Sequence, residues 1–465
     1  MKITSVFLQI SLTIICGFAS AQVSSQSVIA NDKSLAAKIS NILAEYYDPK
    51  SFGCAILIAK NGKIIYENAT GMADIELNVP MTTGMIFRVG SITKQFTAAA
   101  ILQLKEKRLL DLQDDITKFI PDYPSHGYKI TIENLLTHTS GIKDMTEMEQ
   151  FNSVFQRKDF TPAELIDSFK NQPMDFAPGT KWKYSNSGYL ILGYIIEKVS
   201  GKSYPQYIND NIFKSLGMEH AYYDNTSAII KNRASGYKQG QTIPVSNADY
   251  ISMTVPFSAG ALMMTVDDLF KWHEGLYQYK ILKKESLDLA FTPFTLSNGE
   301  KVKYGYGWGL DSLNGSRTIQ HGGNVNGFSA FEIYLPVEDI FVAAFSNSAM
   351  SNTVSLSQLV ACIAAGKPNV KEITVPENIM NNYTGLYKFK LDGPSTTEIY
   401  KKDGKLFLHD THSPIPWQMH FTTNTDFYCN PVFPNNHHFA TDSTGKVTAF
   451  IVQAPGYTST ITKIK

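Results

Sequence analysis

Cysteine is rare in this 465-residue sequence, long apolar runs are scarcer still, and neither sign of charge dominates, with 42 basic residues against 42 acidic ones. Each shortage removes a class of protein. Balanced charge provides no basic face, so nucleic acid is not an expected partner. No His-Glu-x-x-His or Cys-x-x-Cys spacing occurs, so no metal site and no cofactor is expected. Five of the ten histidines follow residue 400, namely His409, His412, His420, His437 and His438, and the last two are read as part of a polar loop after Pro434-Asn-Asn436. Gly-x-Ser-x-Gly is missing as well, which argues against an α/β-hydrolase.

The one apolar stretch of note lies at the start. Lys2, the run Val6 to Phe18 and the small residues Ala19-Ser-Ala21 read as a secretory signal over residues 1–21. The run is shorter than the ~20 residues that span a bilayer. An exported protein, periplasmic or secreted, with no membrane span after cleavage is therefore expected. Cleavage would leave Cys54, Cys362 and Cys429, an odd and widely spaced set that excludes a full disulfide framework. Cys54, inside Cys54-Ala-Ile-Leu-Ile-Ala59, is read as a small core residue.

Against this background three short segments occur in a fixed order: Ser91-Ile-Thr-Lys94, Tyr184-Ser-Asn186 and His321-Gly-Gly323. A serine hydroxyl needs a base during attack, and a lysine three residues on along a helix shares its face. Ser91 opens a run with apolar positions at Ile92, Phe96, Ala99, Ala100 and Leu104, close to the helical period. The other Ser-x-x-Lys copies each carry a glycine between serine and lysine, and Ser443-Thr-Gly-Lys446 reads as a hairpin turn. The bland alternative makes Ser91 an N-cap. Tyr184 ends a turn-rich approach before an apolar helix, Tyr189 to Val199, closed by Gly201; its hydroxyl could equally anchor the loop. His321 precedes two runs that read as strands, and its glycines leave backbone uncovered, as a strand beside a substrate requires. A second copy, His273-Glu-Gly275, sits on a helix capped by Thr265 and Asp268 and is read as a surface residue.

Together these segments resemble the penicillin-binding protein and serine β-lactamase superfamily, in its class C-like branch. Phe87-Arg-Val-Gly-Ser-Ile-Thr-Lys94, Leu135-Leu-Thr-His-Thr-Ser-Gly141, Phe176-Ala-Pro-Gly-Thr180, Tyr304-Gly-Tyr-Gly-Trp-Gly309 and His321-Gly-Gly323 extend the likeness over some hundreds of residues. The resemblance implies that Ser91 forms an acyl-enzyme while Lys94 and Tyr184 move protons. It further implies that Asn186, His321, Gly322 and Gly323 bind substrate, and that the backbone N–H groups of Ser91 and Asn324 receive the oxyanion. One departure stands out: many relatives carry lysine where this chain has His321. An imidazole with an ordinary pKa near ~6.5 is mostly neutral above pH 7, so carboxylate recognition there should be weaker.

The expected fold is α/β (α+β): an antiparallel sheet flanked by helices, with a helical subdomain, then a small all-β barrel or sandwich. Residues 22–365 are assigned to the hydrolase domain, 366–376 to a linker and 377–465 to the β-domain, which resembles the lipocalin-like domains appended to such hydrolases. Helical patterns stop at Gly366, and strand and turn signals alternate beyond it. The expected activity is hydrolysis of an ester or a D-amino-acid-containing peptide or amide. A weakly turning-over D-Ala-D-Ala carboxypeptidase or β-lactamase, and a penicillin-binding sensor that acylates once, are the alternatives. The partner is a small-molecule or peptide substrate; the oligomeric state is left open.

Overall fold

The computed structural model describes residues 29–30, 33–240, 244–367, 373–389, 396–410, 416–429, 436–454 and 457–465. The signal-like segment 1–21, His412 and part of the linker lie outside them. Seven antiparallel strands form the main sheet, in the order Ile29–Ala30, Lys63–Thr70, Cys54–Lys60, Ile340–Ser346, Phe328–Leu335, Ser316–Val325 and Gly309–Leu313. Strands from both ends of the hydrolase segment thus lie side by side around a helical middle. Asn61 and Gly62 make the expected hairpin, with φ of 52° and 67°.

The central strands are apolar at consecutive positions because both faces are covered. Alternation sorts their side chains. Ala55, Leu57, Ala343 and Phe345 enter one core with the helix Thr93–Glu106. Ile56, Ile58, Val342 and Ala344 enter a second core with the helices Lys33–Tyr46 and Thr353–Ala364. Cys54 lies fully buried in that second core as a free thiol.

A third core draws on Val375 to Ile461. It fills a nine-stranded antiparallel sheet whose edges are Trp417–Gln418 and His420–Phe421. Met419 alone separates those two edges in the chain, so the sheet curls until they meet and forms a nearly closed barrel.

Several expectations are corrected here. Helical structure does not stop at Gly366: Glu377–Tyr383 is a helix, and it buries Tyr383 flat against Phe439 at 3.8 Å between ring centres. Pro376 directly before it supplies the start signal. His273 is buried, packed among Tyr277, Tyr334 and Phe341, because the apolar face of its helix turns it onto the sheet. Thr265 caps that helix by accepting from Asp268 N–H, but the Asp268 carboxylate takes the His220 N–H and Lys271 instead of closing the box. His437 and His438 lie in the strand Asn436–Thr441, with His438 Nδ1 2.7 Å from Asp426 Oδ1.

Candidate active site

Ser91 is placed by two backbones in unusually close contact. The short strand Phe87–Arg88 pairs with Leu262–Met264, and Gly90 then turns the chain with φ of 51°. A Cβ on Gly90 would lie 2.8 Å from Asn324 N, and one on Gly323 would lie 1.9 Å from Val89 O and 2.8 Å from Ser91 N. Only glycine fits on either side. Ser91 itself lies in a single 3-10 turn, Gly90–Ile92, and the α-helix begins at Thr93, later than expected. Neither turn nor helix has a side-chain cap, so Ser91 is not an N-cap.

The Ser91 hydroxyl instead faces Lys94, whose Nζ donates to it at 3.0 Å. Lys94 Nζ also donates to Asn186 Oδ1 at 2.9 Å and to the carbonyl of Ala259 at 2.9 Å. All three ammonium protons would be used, yet the side chain is wholly buried. Burial lowers the amine's pKa to about 7, against the opposing pull of the Asp144 carboxylate. Ala259 is held by close packing: Ser258 O accepts from Thr97 Oγ1 at 2.7 Å, and Ser258 Oγ donates to Tyr189 O at 2.8 Å.

Tyr184 and Asn186 come from the loop and first turn of the helix Asn186–Ser200, which Ser185 caps and Gly201 closes in the left-handed conformation. The Tyr184 ring lies under the amine, with Lys94 Nζ 4.8 Å from its centre, and its hydroxyl interacts with Ser91. Low-polarity surroundings push the phenol well above its ordinary range, so it stays protonated at neutral pH. Asp144, which the sequence did not single out, accepts from Asn186 Nδ2 at 3.0 Å. That contact fixes the amide so that Oδ1 points to Lys94. The chain Asp144, Asn186, Lys94, Ser91 is a continuous row of hydrogen bonds.

His321 has no free nitrogen. Its Nδ1 lies 2.6 Å from Gly322 O, which can only accept, so Nδ1 carries the proton and Nε2 accepts from the Tyr304 hydroxyl at 2.9 Å. Burial, then the nearby Lys94, lowers the imidazole to about 3. His138, from the Leu-Thr-His-Thr segment, packs 4.3 Å from the Tyr184 ring and 4.7 Å from Tyr304, and its Nδ1 accepts from Ser185 N–H at 3.1 Å.

Ser91, Tyr184, Asn186 and Asn324 line one cleft of about 230 Å³, whose remaining wall includes Met145, Phe151, Leu190, Ile251 and Val255. His321, Gly322 and Gly323, expected at the substrate, are not among the residues that line it. Among the described residues no group of side chains is arranged to hold a metal ion, and no helix is long and apolar enough to cross a membrane.

A serine hydroxyl hydrogen-bonded to a buried amine of lowered pKa, on an antiparallel sheet flanked by helices, is the machinery of a serine hydrolase. The sequence matches the family described as Beta-lactamase over residues 37–363, and the chain belongs to that family. It is 32% identical over 297 residues to Penicillin-binding protein 4* of Bacillus subtilis (strain 168), covering 61% of this chain and 65% of that protein. The match therefore spans less than two thirds of that relative. The octameric penicillin-binding protein homologue from Pyrococcus abyssi is similar in structure, with a TM-score of 0.67 and 25% identity over 92% of this chain and 99% of that one. A D-stereospecific amidohydrolase from Streptomyces sp. gives 0.62 and 26% over 71% of this chain and 98% of that one.

Proposed function

We propose that the protein is an exported hydrolase that acylates Ser91 with an ester or a D-amino-acid-containing amide and then releases the acyl group to water. The observation that carries this reading is the 3.0 Å contact between Lys94 Nζ and Ser91 Oγ, made by an amine whose pKa is lowered to about 7. Neutral Lys94 takes the Ser91 proton as Oγ bonds to the substrate carbonyl carbon. The protonated phenol of Tyr184 then relays a proton to the departing oxygen or nitrogen and recovers one from Lys94. The N–H groups of Ser91 and Asn324 receive the oxyanion, and Asn186 holds the substrate amide while orienting Lys94. His321, Gly322 and Gly323 set the strand against which the substrate lies.

The D-stereospecific amidohydrolase likeness supports a D-configured acyl group, and the apolar wall of the cleft favours an uncharged, apolar side chain on it. We also assign residues 22–365 to the hydrolase domain and 377–465 to a separate β-domain, a division supported by its independent core.

The test is intact-mass analysis after exposure to a fluorophosphonate, followed by kinetics on p-nitrophenyl esters, D-amino-acid amides and nitrocefin. Ser91→Ala should abolish labelling, and Lys94→Ala should slow acylation by about 10²–10⁴-fold, the usual worth of a positioned base. With a neutral His321, ester turnover should exceed nitrocefin turnover. Labelling that survives in Ser91→Ala would overturn the assignment.

A further inference from the structure

A second pocket, of about 310 Å³, adjoins the catalytic cleft and shares Ile251 and Asn326 with it. Its character is different. Arg88 and Arg233 both line it, and the guanidinium of Arg88 lies over the ring of Phe328 at 5.7 Å. The two arginines converge on Asp224, whose side chain is fully buried: Arg88 Nε is 2.7 Å from Oδ2, and Arg233 Nη2 is 3.4 Å from Oδ1. Asp249 on the rim is paired with Lys238 at 2.6 Å. Two guanidiniums and the Asp249 carboxylate line this pocket, and Asp249 is turned to Lys238 outside the lining, whereas every residue lining the catalytic cleft is uncharged.

Distance ties this charge to the chemistry. Arg88 precedes Ser91 by three residues, so their Cα atoms are at most about 11 Å apart along even an extended chain. A substrate group one or two residues from the scissile carbonyl covers such a gap at ~3.3–3.6 Å per residue. The planar forks of arginine match a carboxylate, and stacking on an aromatic ring pre-orients the fork.

We propose that the Arg88–Arg233 pocket is an anion subsite that receives a carboxylate carried by the substrate one or two residues from the bond cleaved at Ser91. The subsite rests on the acyl-enzyme reading above and moves carboxylate recognition from the neutral His321 to the pocket that shares Asn326 with the cleft. Asp224 holds Arg88, the carbonyls of Asn225 and Ala228 accept from Arg233 Nη2 at 3.0 and 3.3 Å, and the cleft supplies an apolar seat for the acyl group.

The test pairs two esters of phenylacetic acid, one with 4-hydroxybenzoate as leaving group and one with its carboxamide. The carboxylate ester should be preferred in kcat/KM by about tenfold at low salt, a typical gain for one charge-assisted contact, and the preference should shrink as salt rises. Arg233→Gln should reduce the carboxylate-to-carboxamide ratio several-fold, and Asp249→Asn, at an exposed rim position that leaves folding intact, should raise it. Equal turnover of the two esters, unmoved by salt or by either variant, overturns the subsite while leaving the acyl-enzyme reading in place. Failure of Ser91 to acylate with either ester or with a fluorophosphonate overturns that reading instead. The subsite is then decided by calorimetry with 4-hydroxybenzoate against 4-hydroxybenzamide: selective binding of the acid, lost in Arg233→Gln, upholds it, and absence of selectivity overturns it.

Discussion

Burial takes the Lys94 amine from a lysine's ordinary pKa of 10.5 down to about 7, a loss of roughly three orders of magnitude in proton affinity. Because only the neutral amine accepts a proton, kcat/KM should rise with pH through a limb near 7. Asp144 works against the shift, since its negative charge favours the charged amine. Asp144→Asn keeps an acceptor for Asn186 Nδ2 but removes the charge, so the limb should move to lower pH; a pH–rate profile that stays put or moves upward would contradict the assignment. Asp144 also marks where residue-level reading of the sequence stops. The pairing of Ser91 with Lys94 is legible from their helical spacing, and Tyr184 and Asn186 from the resemblance of their segment to the family; the structure brings the four together. A lone aspartate in a loop, Gly141-Ile-Lys-Asp144, and a main-chain oxygen such as Ala259 O carry no such signature. His273 is misread for a related reason: its neighbours Glu274 and Gly275 suggest solvent, while its ring follows the apolar face of the helix.

Two elements, the turn bearing Ser91 and the strand Ser316–Val325, lock together through Gly90, which meets Asn324, and Gly323, which meets Val89 and Ser91. Adding one methyl at Gly323 would drive it into Val89 O and Ser91 N. Gly323→Ala should therefore lower kcat/KM by about 10²-fold, the usual result of a displacement near 1 Å at a reacting atom. Circular dichroism should remain native, because the clash is local; retained activity would show that the serine turn tolerates a wider gap. The sequence signals two glycines after His321, and the close packing within the protein adds a reason for them that no local pattern reveals. Gly323 meets Val89 and Ser91, and Gly322 faces Phe331. Strand existence is legible from apolar runs in Cys54–Lys60, Phe328–Leu335 and Ile340–Ser346, whereas the helix Glu377–Tyr383 is too short for periodicity to reveal it.

Across the whole molecule, the sheet and the helix Thr93–Glu106 enclose one ionisable group that the proposed chemistry leaves unused. Glu332 belongs to the apolar row facing that helix, accepts from Gln95 Nε2 at 2.6 Å, and pairs across the ladder with His321. Burial raises its pKa to about 8, so folding takes up a proton between the ordinary carboxyl range and pH 8. Stability from this group is complete at low pH and is lost as pH rises through about 8. Glu332→Gln should flatten the decline in Tm between pH 6 and 9, and its Tm should exceed that of the wild type at the alkaline end; parallel curves would show that the carboxyl is already ionised. A sheet built from both ends of the hydrolase segment around a helical middle, followed by a small β-structure, was legible from the strand runs; the division of its packing into three cores was not. The C-terminal sheet, expected as a small barrel or sandwich, is the barrel, and it closes through Met419, which joins two rims that no local pattern relates. That joint carries its own consequence. A cylinder whose first and last staves touch offers little open ladder to a neighbouring copy, so among the described residues this end of the molecule resists strand-to-strand stacking, and self-association there would have to proceed through side chains.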